Sequence, residues 1–229
     1  MKTQLIKDLL VSEPDGRTVT VCGWVRTMRD SKNLGFIQVN DGSCFASVQL
    51  TFDRNNPGNA NSNDIEAAFK KISTGASVKA TGAIIPSPAS GQAIEITLHT
   101  IEVLGESPSD YPLQKKGHSV EFLREIAHLR PRTNMIGAVA RMRSQLAFAV
   151  HTFFQERGFQ YFNAPLITCS DCEGAGEMFQ VTTLDLDREA SSGKVDYEKD
   201  FFGKKVGLAV TGQLEGETYA MAYKKIYTF

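Results

Sequence analysis

The chain has 229 residues, of which 41% are hydrophobic and 22% are charged, enough apolar material for one large core or two modest ones. The formal net charge of −1 excludes a field of positive charge over the whole chain, so any contact with phosphate has to come from local basic patches. No apolar run has the length of a signal-peptide core or a membrane span, and we expect a soluble cytoplasmic protein.

Residues 18–104 alternate apolar and polar side chains over short runs separated by turn residues, a pattern typical of strands in a small barrel. Three such runs precede a helical segment and two follow it. This is the order of an OB-fold, a five-stranded barrel whose outer face commonly binds single-stranded nucleic acid. The residues predicted to face the core are Val19, Val21, Gly23, Val25, Ile37, Val39, Ala46, Val48, Leu50, Ile94, Ile96 and Leu98.

Two local motifs lie between the predicted strands of the barrel. Asp41-Gly42, between the second and third runs, predicts a tight hairpin turn. Asn63, followed three residues later by Glu66, predicts a capping box at the start of the helix. In that motif the Asn63 side chain accepts from the backbone amide of Glu66, and the Glu66 carboxylate accepts from the backbone amide of Asn63.

A linker is predicted over residues 105–117, where Pro108, Asp110 and Pro112 stand among polar residues without periodicity. We therefore divide the chain into a barrel domain over 1–104, this linker, and a second domain over 118–229. The predicted fold class is α+β: an N-terminal five-stranded OB-fold barrel followed by a second domain that contains helices and strands.

The second domain is predicted to contain helices at about 119–127 and 134–157. The longer helix carries an apolar stripe, and Gly158 after it suits a left-handed cap. A strand over 161–168 follows, and Pro165 within it indicates an edge or interface position. The stripe consists of Val139, Met142, Leu146, Val150 and Phe153.

The four cysteines are too few and too irregularly spaced for a disulfide framework. Cys169 and Cys172 have the spacing of zinc ligands, but no second pair completes a four-ligand site. We therefore predict free thiols and no metal site. The four histidines are scattered, and none is assigned a catalytic role.

Contact between the barrel and nucleic acid would have to come from side chains that point away from the core. The alternation that turns Ile37 and Leu50 inward turns Phe36, Gln49 and Glu95 outward. A base stacked on an aromatic ring gains roughly 1 to 3 kcal/mol, and amide and carboxylate groups distinguish Watson–Crick edges. From the alternation alone, a Phe36 covered by a loop beside ordinary polar residues is an equally good interpretation.

Four segments of the barrel bear on this choice: Gly23-Trp-Val-Arg26, Arg29-Asp30-Ser-Lys32, Phe36 and Gly42-Ser-Cys-Phe-Ala-Ser-Val-Gln49. They resemble the anticodon-binding domain shared by the asparaginyl- and aspartyl-tRNA synthetases. In those enzymes the positions that match Phe36, Gln49 and Glu95 face the anticodon. The resemblance therefore favours the first interpretation and implies that these three residues bind the anticodon of a tRNA.

The second domain resembles the catalytic domain of the class II aminoacyl-tRNA synthetases. Its long helix, the following strand and Pro165 are similar to the first signature motif of that class, which implies a dimer interface containing Pro165. The resemblance also implies the first half of an antiparallel-sheet catalytic domain. An ordinary helix packed on a sheet would show the same apolar stripe.

Two further segments resemble the amino-acid pocket of the asparaginyl-tRNA synthetases. They are Pro165-Leu-Ile-Thr-Cys-Ser170-Asp-Cys-Glu173-Gly-Ala-Gly-Glu177-Met-Phe179 and Thr211-Gly-Gln-Leu-Glu-Gly-Glu217. The resemblance implies that Glu173, Gln213 and Glu217 bind the amino acid, and that residues 173–176 are a mobile loop that closes over it.

The resemblance also bears on the choice between asparagine and aspartate. Where this chain has Gly216, the aspartate enzymes carry a lysine, and Glu217 follows here. An amide nitrogen needs an acceptor such as Glu217, whereas an aspartate carboxylate would be repelled by it. The exchange favours asparagine, and Glu215 is expected to be a solvent residue.

The family reaction has two steps: asparagine attacks the α-phosphate of ATP to give an adenylate, and a ribose hydroxyl of the tRNA then takes the aminoacyl group. The resemblance implies ATP as co-substrate and Mg²⁺ at its phosphates, with catalysis by positioning and electrostatics. No catalytic residue is expected within this chain, because the second and third class II motifs are expected beyond Phe229.

We interpret the chain as the anticodon-binding and amino-acid-pocket portion of an asparagine-tRNA ligase, a cytoplasmic homodimer without membrane contact. Its partners would be asparagine, ATP and the tRNA for asparagine. Two alternatives stay open: a non-catalytic module that binds tRNA or other single-stranded RNA without the ATP-binding motifs, and a synthetase specific for aspartate or for both amino acids.

Overall fold

A computed structural model describes residues 2–56, 61–172, 174, 177–191, 193 and 195–229. The chain forms two compact units, the first ending at Ala140 and the second beginning at Arg141. No helix in these ranges is long and apolar enough to cross a membrane.

The first unit contains a closed barrel of five strands. They are β1 (Thr18–Asp30), β2 (Leu34–Asn40), β3 (Val48–Asp53), β4 (Ser77–Pro86) and β5 (Ile94–Gly105). The order around the barrel is β1-β2-β3-β5-β4, and β4 returns to β1. All pairings are antiparallel except that of β3 with β5, which is parallel and closes the barrel. The predicted OB-type order is confirmed.

The core of the barrel is filled by the side chains that alternate inward along each strand. Ile37, Leu50 and Ile96 are completely buried, and burial of each such side chain contributes roughly 1.5 to 3 kcal/mol. A short helix, α1 (Ile6–Leu9), packs on the same core. The sequence analysis missed α1, although its buried residues, Ile6 and Leu9, are three positions apart, which is helical spacing.

The predicted capping box is wrong. The helix between β3 and β4, α2 (Ser62–Phe69), follows Asn61 as its cap residue, and no side chain caps it. The Glu66 carboxylate instead forms a bidentate ion pair with Arg54. Arg54 also pairs with Asp30, at 2.7 Å, so it ties α2 to the end of β1, and the ion pairs raise the pKa of its guanidinium.

The predicted tight hairpin at Asp41-Gly42 is also corrected. Gly42 does have the positive φ, 81°, that favours glycine, but residues 41–47 form a longer loop between β2 and β3. The Asn40 side chain holds this loop by donating to the carbonyls of Cys44 and Ala46. Ala46 therefore lies in the loop, not in the predicted strand.

After β5 come two helices and then a series of short strands and helices. The elements are α3 (Val120–Glu125), α4 (Asn134–Glu156), β6 (Gln160–Tyr161), β7 (Ile167–Thr168), β8 (Gln180–Val181), α5 (Leu186–Ser191), β9 (Val206–Leu208), α6 (Gln213–Tyr223) and β10 (Ile226–Tyr227). Strands β7, β9 and β8 form an antiparallel sheet in that order, and β6 pairs with β10 in a separate parallel sheet. The predicted single strand over 161–168 is thus two strands in two sheets, separated at Pro165.

The long helix α4 agrees with its predicted range, and Gly158 follows it with a φ of 73°. Its apolar stripe is present but largely uncovered. Val139, Met142 and Leu146 are each more than half exposed. An amphipathic helix with an exposed apolar stripe is typical of one that packs on another surface.

Candidate functional site

The strand register assembles two rows of outward side chains across the barrel. In the first row Thr27 lies opposite Gln38, and Gln38 lies opposite Gln49. In the second, Arg29 lies opposite Phe36, Phe36 opposite Thr51, and Thr51 beside Thr97 of β5. Together with Glu95, these side chains form one continuous surface, which we call the outer face. Its members are Thr27, Arg29, Phe36, Gln38, Gln49, Thr51, Glu95 and Thr97.

The three predicted anticodon-binding residues all lie on the outer face, and two of them are in direct contact. The Gln49 amide donates to Oε1 of Glu95 at 2.9 Å. Phe36 is half-buried on the neighbouring strand, so part of its ring stays accessible for stacking. The structure thus brings an aromatic ring, an amide and a carboxylate together.

Glu95 differs from the simple expectation of an exposed carboxylate. Only 4% of its surface is exposed, because the loop between β4 and β5 lies against it. Ser87 Oγ donates to Oε1 of Glu95 at 2.7 Å, and Gln92 Nε2 donates to the same oxygen at 2.6 Å. A buried carboxylate needs such donors, since leaving it unpaired would cost several kcal/mol.

The basic residues of the resembling segments have different roles. Arg26 is occupied by contacts within the first unit, donating to the Arg132 carbonyl and to Asn134. Arg29 is exposed beside Phe36, where its guanidinium can meet a phosphate or a base. The sequence analysis placed Arg29 in a segment that resembles the anticodon-binding domain, but it assigned no anticodon contact to Thr27, Arg29 or Gln38. The pairing of β1 with β2 is the signal that identifies them.

A second candidate site lies at the start of α6. Gln213 and Glu217 are one helical turn apart, and the Gln213 amide donates to the Glu217 carboxylate at 3.1 Å. The Cys172 thiol donates to Oε1 of Gln213 at 3.7 Å. The segment preceding Glu173 therefore meets the first turn of α6. Glu173 itself lies outside the described residues.

A small cleft adjoins this contact. Its polar lining includes Ser170, Asp171 and Glu215. Glu215 is half-buried there, which corrects the expectation of a solvent residue. Gln213 and Glu217 are exposed beside the cleft.

Gly216 faces the interior of the second unit. A Cβ at this position would lie 3.4 Å from the Phe162 ring and 3.7 Å from Ile226. These are ordinary van der Waals distances, so the packing of α6 would admit a Cβ here. A longer side chain at position 216 would meet the Phe162 ring, and the hypothesis of amide selectivity depends mainly on Glu217.

Comparison with known proteins finds matches to the barrel and to the whole chain. Residues 19–104 match a family model described as an OB-fold nucleic acid binding domain of the tRNA anticodon type. The asparagine–tRNA ligase of Treponema denticola is 58% identical over 98% of this chain, and that of Acetivibrio thermocellus is 51% identical over all of it. The chain is thus homologous to a part of the asparagine–tRNA ligases. It spans about half the length of these relatives, 49% of each.

The fold agrees with solved structures of asparaginyl-tRNA synthetases. Asparaginyl-tRNA synthetase from Pyrococcus horikoshii, complexed with asparaginyl-adenylate, superposes with a TM-score of 0.79 at 21% identity. The match covers 100% of this chain and 47% of that one. It shows that the strands and helices after the barrel have the arrangement of an asparaginyl-tRNA synthetase. The relatives favour the ligase interpretation over a stand-alone RNA-binding module.

The resemblance implied ATP as co-substrate and Mg²⁺ at its phosphates. No three histidine, cysteine or carboxylate side chains in the part of the chain that the structure describes converge so that they could hold a metal ion. We therefore derive no step through a metal from these residues. The four cysteines are free thiols.

Asp200 is a buried carboxylate of the second unit that lies outside both candidate sites. Asp200 accepts from the Thr183 hydroxyl at 2.8 Å and from the amides of Thr183 and Phe201. The Thr182 hydroxyl and the Thr183 amide, outweighing desolvation, hold the pKa of Asp200 well below its usual range. Asp200 thereby fixes the chain that follows β8.

We expect the second unit to lose stability in acid through Asp200. Because the folded-state pKa is lowered, the stabilisation is complete above the unfolded-state pKa of about 3.9 and is lost as the pH falls below it. Asp200→Asn should unfold the second unit at lower temperature than wild type at pH 7, and this gap should narrow at pH 3.5. Circular dichroism melts at both pH values measure it. An equal gap at the two pH values would contradict the assignment.

Proposed function

We propose that this chain supplies the anticodon-binding barrel and part of the amino-acid pocket of an asparagine-tRNA ligase. The whole protein would activate asparagine with ATP and transfer it to the tRNA for asparagine. The identity of 58% to a curated ligase supports the proposal. The observation that carries it is the contact between Gln49 and Glu95 beside Phe36 on the outer face of the barrel.

The geometry of this contact indicates which base edge it would read. One hydrogen of the Gln49 amide goes to Glu95, which leaves the second hydrogen to donate to a base carbonyl. The Glu95 carboxylate only accepts, so it would take an imino N–H. A carbonyl next to an imino N–H occurs in uracil and guanine, whereas cytosine offers an acceptor at N3. Stacking on Phe36 would hold the base in place.

Binding of the chain to RNA tests the proposal directly. The 229-residue chain should bind the anticodon stem-loop of the tRNA for asparagine more tightly than stem-loops in which one anticodon base has been replaced. Fluorescence anisotropy at a fixed salt concentration measures the ratio, since phosphate contacts make affinity depend on salt. Equal affinity for all the stem-loops would refute anticodon recognition.

In the second unit, Gln213, Glu217 and the loop containing Glu173 would hold asparagine, with Glu217 accepting from its side-chain amide. The chemistry of the adenylate and any Mg²⁺ at the ATP phosphates belong to the complete enzyme. The exposed apolar stripe of α4 supports a homodimer, in which Pro165 would lie at the interface. A cytoplasmic location is proposed with the same function.

Glu217→Gln should weaken the preference of the complete enzyme for asparagine over aspartate. The substitution removes the charge that repels aspartate and replaces an acceptor oxygen by a donor, at a cost of about tenfold in the ratio of kcat/KM values. Pyrophosphate exchange with each amino acid measures the ratio. Glu156→Gln, an exposed carboxylate at the end of α4, is the matched control and should keep the ratio. An unchanged ratio in Glu217→Gln would refute the assignment, and a shift in Glu215→Gln alone would transfer it to the carboxylate that lines the cleft.

A further inference from the structure

The loop between β4 and β5 has an organised contact with Glu95. Ser87 Oγ accepts from the amide of Ala89 at 3.1 Å and from Gln92 Nε2 at 3.0 Å, while it donates to Glu95. Gln92 Nε2 also reaches Glu95 directly. Ser87 and Gln92 are both half-buried. The hydrogen bonds within the loop and those to the Glu95 carboxylate therefore form one network.

All three donors meet the same oxygen. Oε1 of Glu95 accepts from Gln49, Ser87 and Gln92 at 2.6 to 2.9 Å, whereas Oε2 accepts no hydrogen bond from the residues that the structure describes. The carboxylate therefore cannot turn about its terminal torsion without breaking three hydrogen bonds. Oε2 is the oxygen that remains for a ligand.

We propose that Ser87 and Gln92 are positioning residues for base recognition. They do not read the base themselves: they fix the Glu95 carboxylate so that Oε2 meets the base while Gln49 presents its remaining amide hydrogen. Fixing a polar group before binding avoids the entropic cost of ordering it in the complex. The inference rests on the proposed anticodon-binding function, which it deepens.

The double variant Ser87→Ala/Gln92→Ala of the 229-residue chain tests the inference. Its affinity ratio between the asparagine stem-loop and the base-replaced stem-loops should fall about tenfold, or about 1.4 kcal/mol, because the carboxylate keeps only one of its three donors. Ser87→Thr keeps the hydroxyl and should keep the ratio. Ser90→Ala, an exposed position in the same loop, is the control and should behave as wild type.

A double-mutant cycle separates positioning from direct contact. In a Glu95→Ala background, Ser87→Ala/Gln92→Ala should cause no further loss of discrimination, because the group that they position is gone. A further loss there would show that the loop contacts the RNA itself and would overturn the inference. An unchanged ratio in the double variant, with a wild-type chain that discriminates, would also overturn it.

Two other results have a different meaning. If the wild-type chain does not discriminate between the stem-loops, anticodon recognition fails, and the inference fails with it. If the double variant does not fold, as judged by Trp24 fluorescence, the single variant Ser87→Ala replaces it. This variant removes one of the three donors to Glu95 and should lower the ratio by about threefold.

Discussion

Gly82→Ala is expected to lower the free energy of unfolding of the barrel by at least about 3 kcal/mol. A Cβ at Gly82 would lie 2.0 Å from the Thr97 carbonyl oxygen and 2.8 Å from Ile96. The first of these is backbone, so no side chain can rotate away from the clash. Strands β4 and β5 would have to separate where their register already shifts, between Thr81 and Gly82.

The measurement is denaturant unfolding followed by the fluorescence of Trp24, the single tryptophan of the chain. Trp24 lies in β1, so its signal reports on the barrel and not on the second unit. Gly117→Ala is the matched control, because a Cβ at Gly117 meets nothing within 4 Å. A midpoint for Gly82→Ala equal to that of the control would show that the two strands do not approach as closely as described.

Phe36→Ala is expected to weaken binding of the asparagine anticodon stem-loop by about 10- to 100-fold, because loss of one stacked base costs roughly 1 to 3 kcal/mol. The half-buried ring sits beside Arg29 and one residue pair away from Gln49. The loss should be similar for every base at the stacked position, since all bases have an aromatic face. Anisotropy titrations of the 229-residue chain measure it.

Two companion variants make the interpretation specific. Phe36→Tyr keeps the ring and should keep most of the affinity, whereas Phe36→Leu keeps the apolar volume and should behave like Phe36→Ala. If Phe36→Leu binds as wild type does, Phe36 supports the barrel and does not stack on a base. Trp24 fluorescence of each variant confirms that the barrel is folded.

Alternation along the chain was sufficient to predict the barrel. The residues expected to face the core, such as Val21, Ile37 and Leu50, are buried, because a strand has only two faces and water selects between them. The same alternation predicted the outward direction of Phe36, Gln49 and Glu95. Alternation was reliable wherever a single strand determines which of its side chains are buried.

Predictions failed where a residue that is distant in the sequence forms a contact in place of the predicted local one. Glu66 has the spacing of a capping residue, but Arg54 offers a charged partner and forms an ion pair with it, which outweighs the cap. Glu95 alternates outward, yet a loop that begins eight residues before it in the sequence covers it. Neither contact has a signature in a single sequence. Strand register, which identified Arg29, is likewise a property of paired strands.

The parallel pairing of β3 with β5 decides when, during folding, Gln49 can contact Glu95. The two residues are 46 positions apart in the sequence and lie on these two strands. The whole of α2 and β4 intervenes, and contacts between such distant positions form slowly. During synthesis, the carboxylate and its amide partner therefore come together only after β5 has left the ribosome. A nascent chain that has not yet paired β5 with β3 lacks the contact between Gln49 and Glu95, the pair that we propose to read a base.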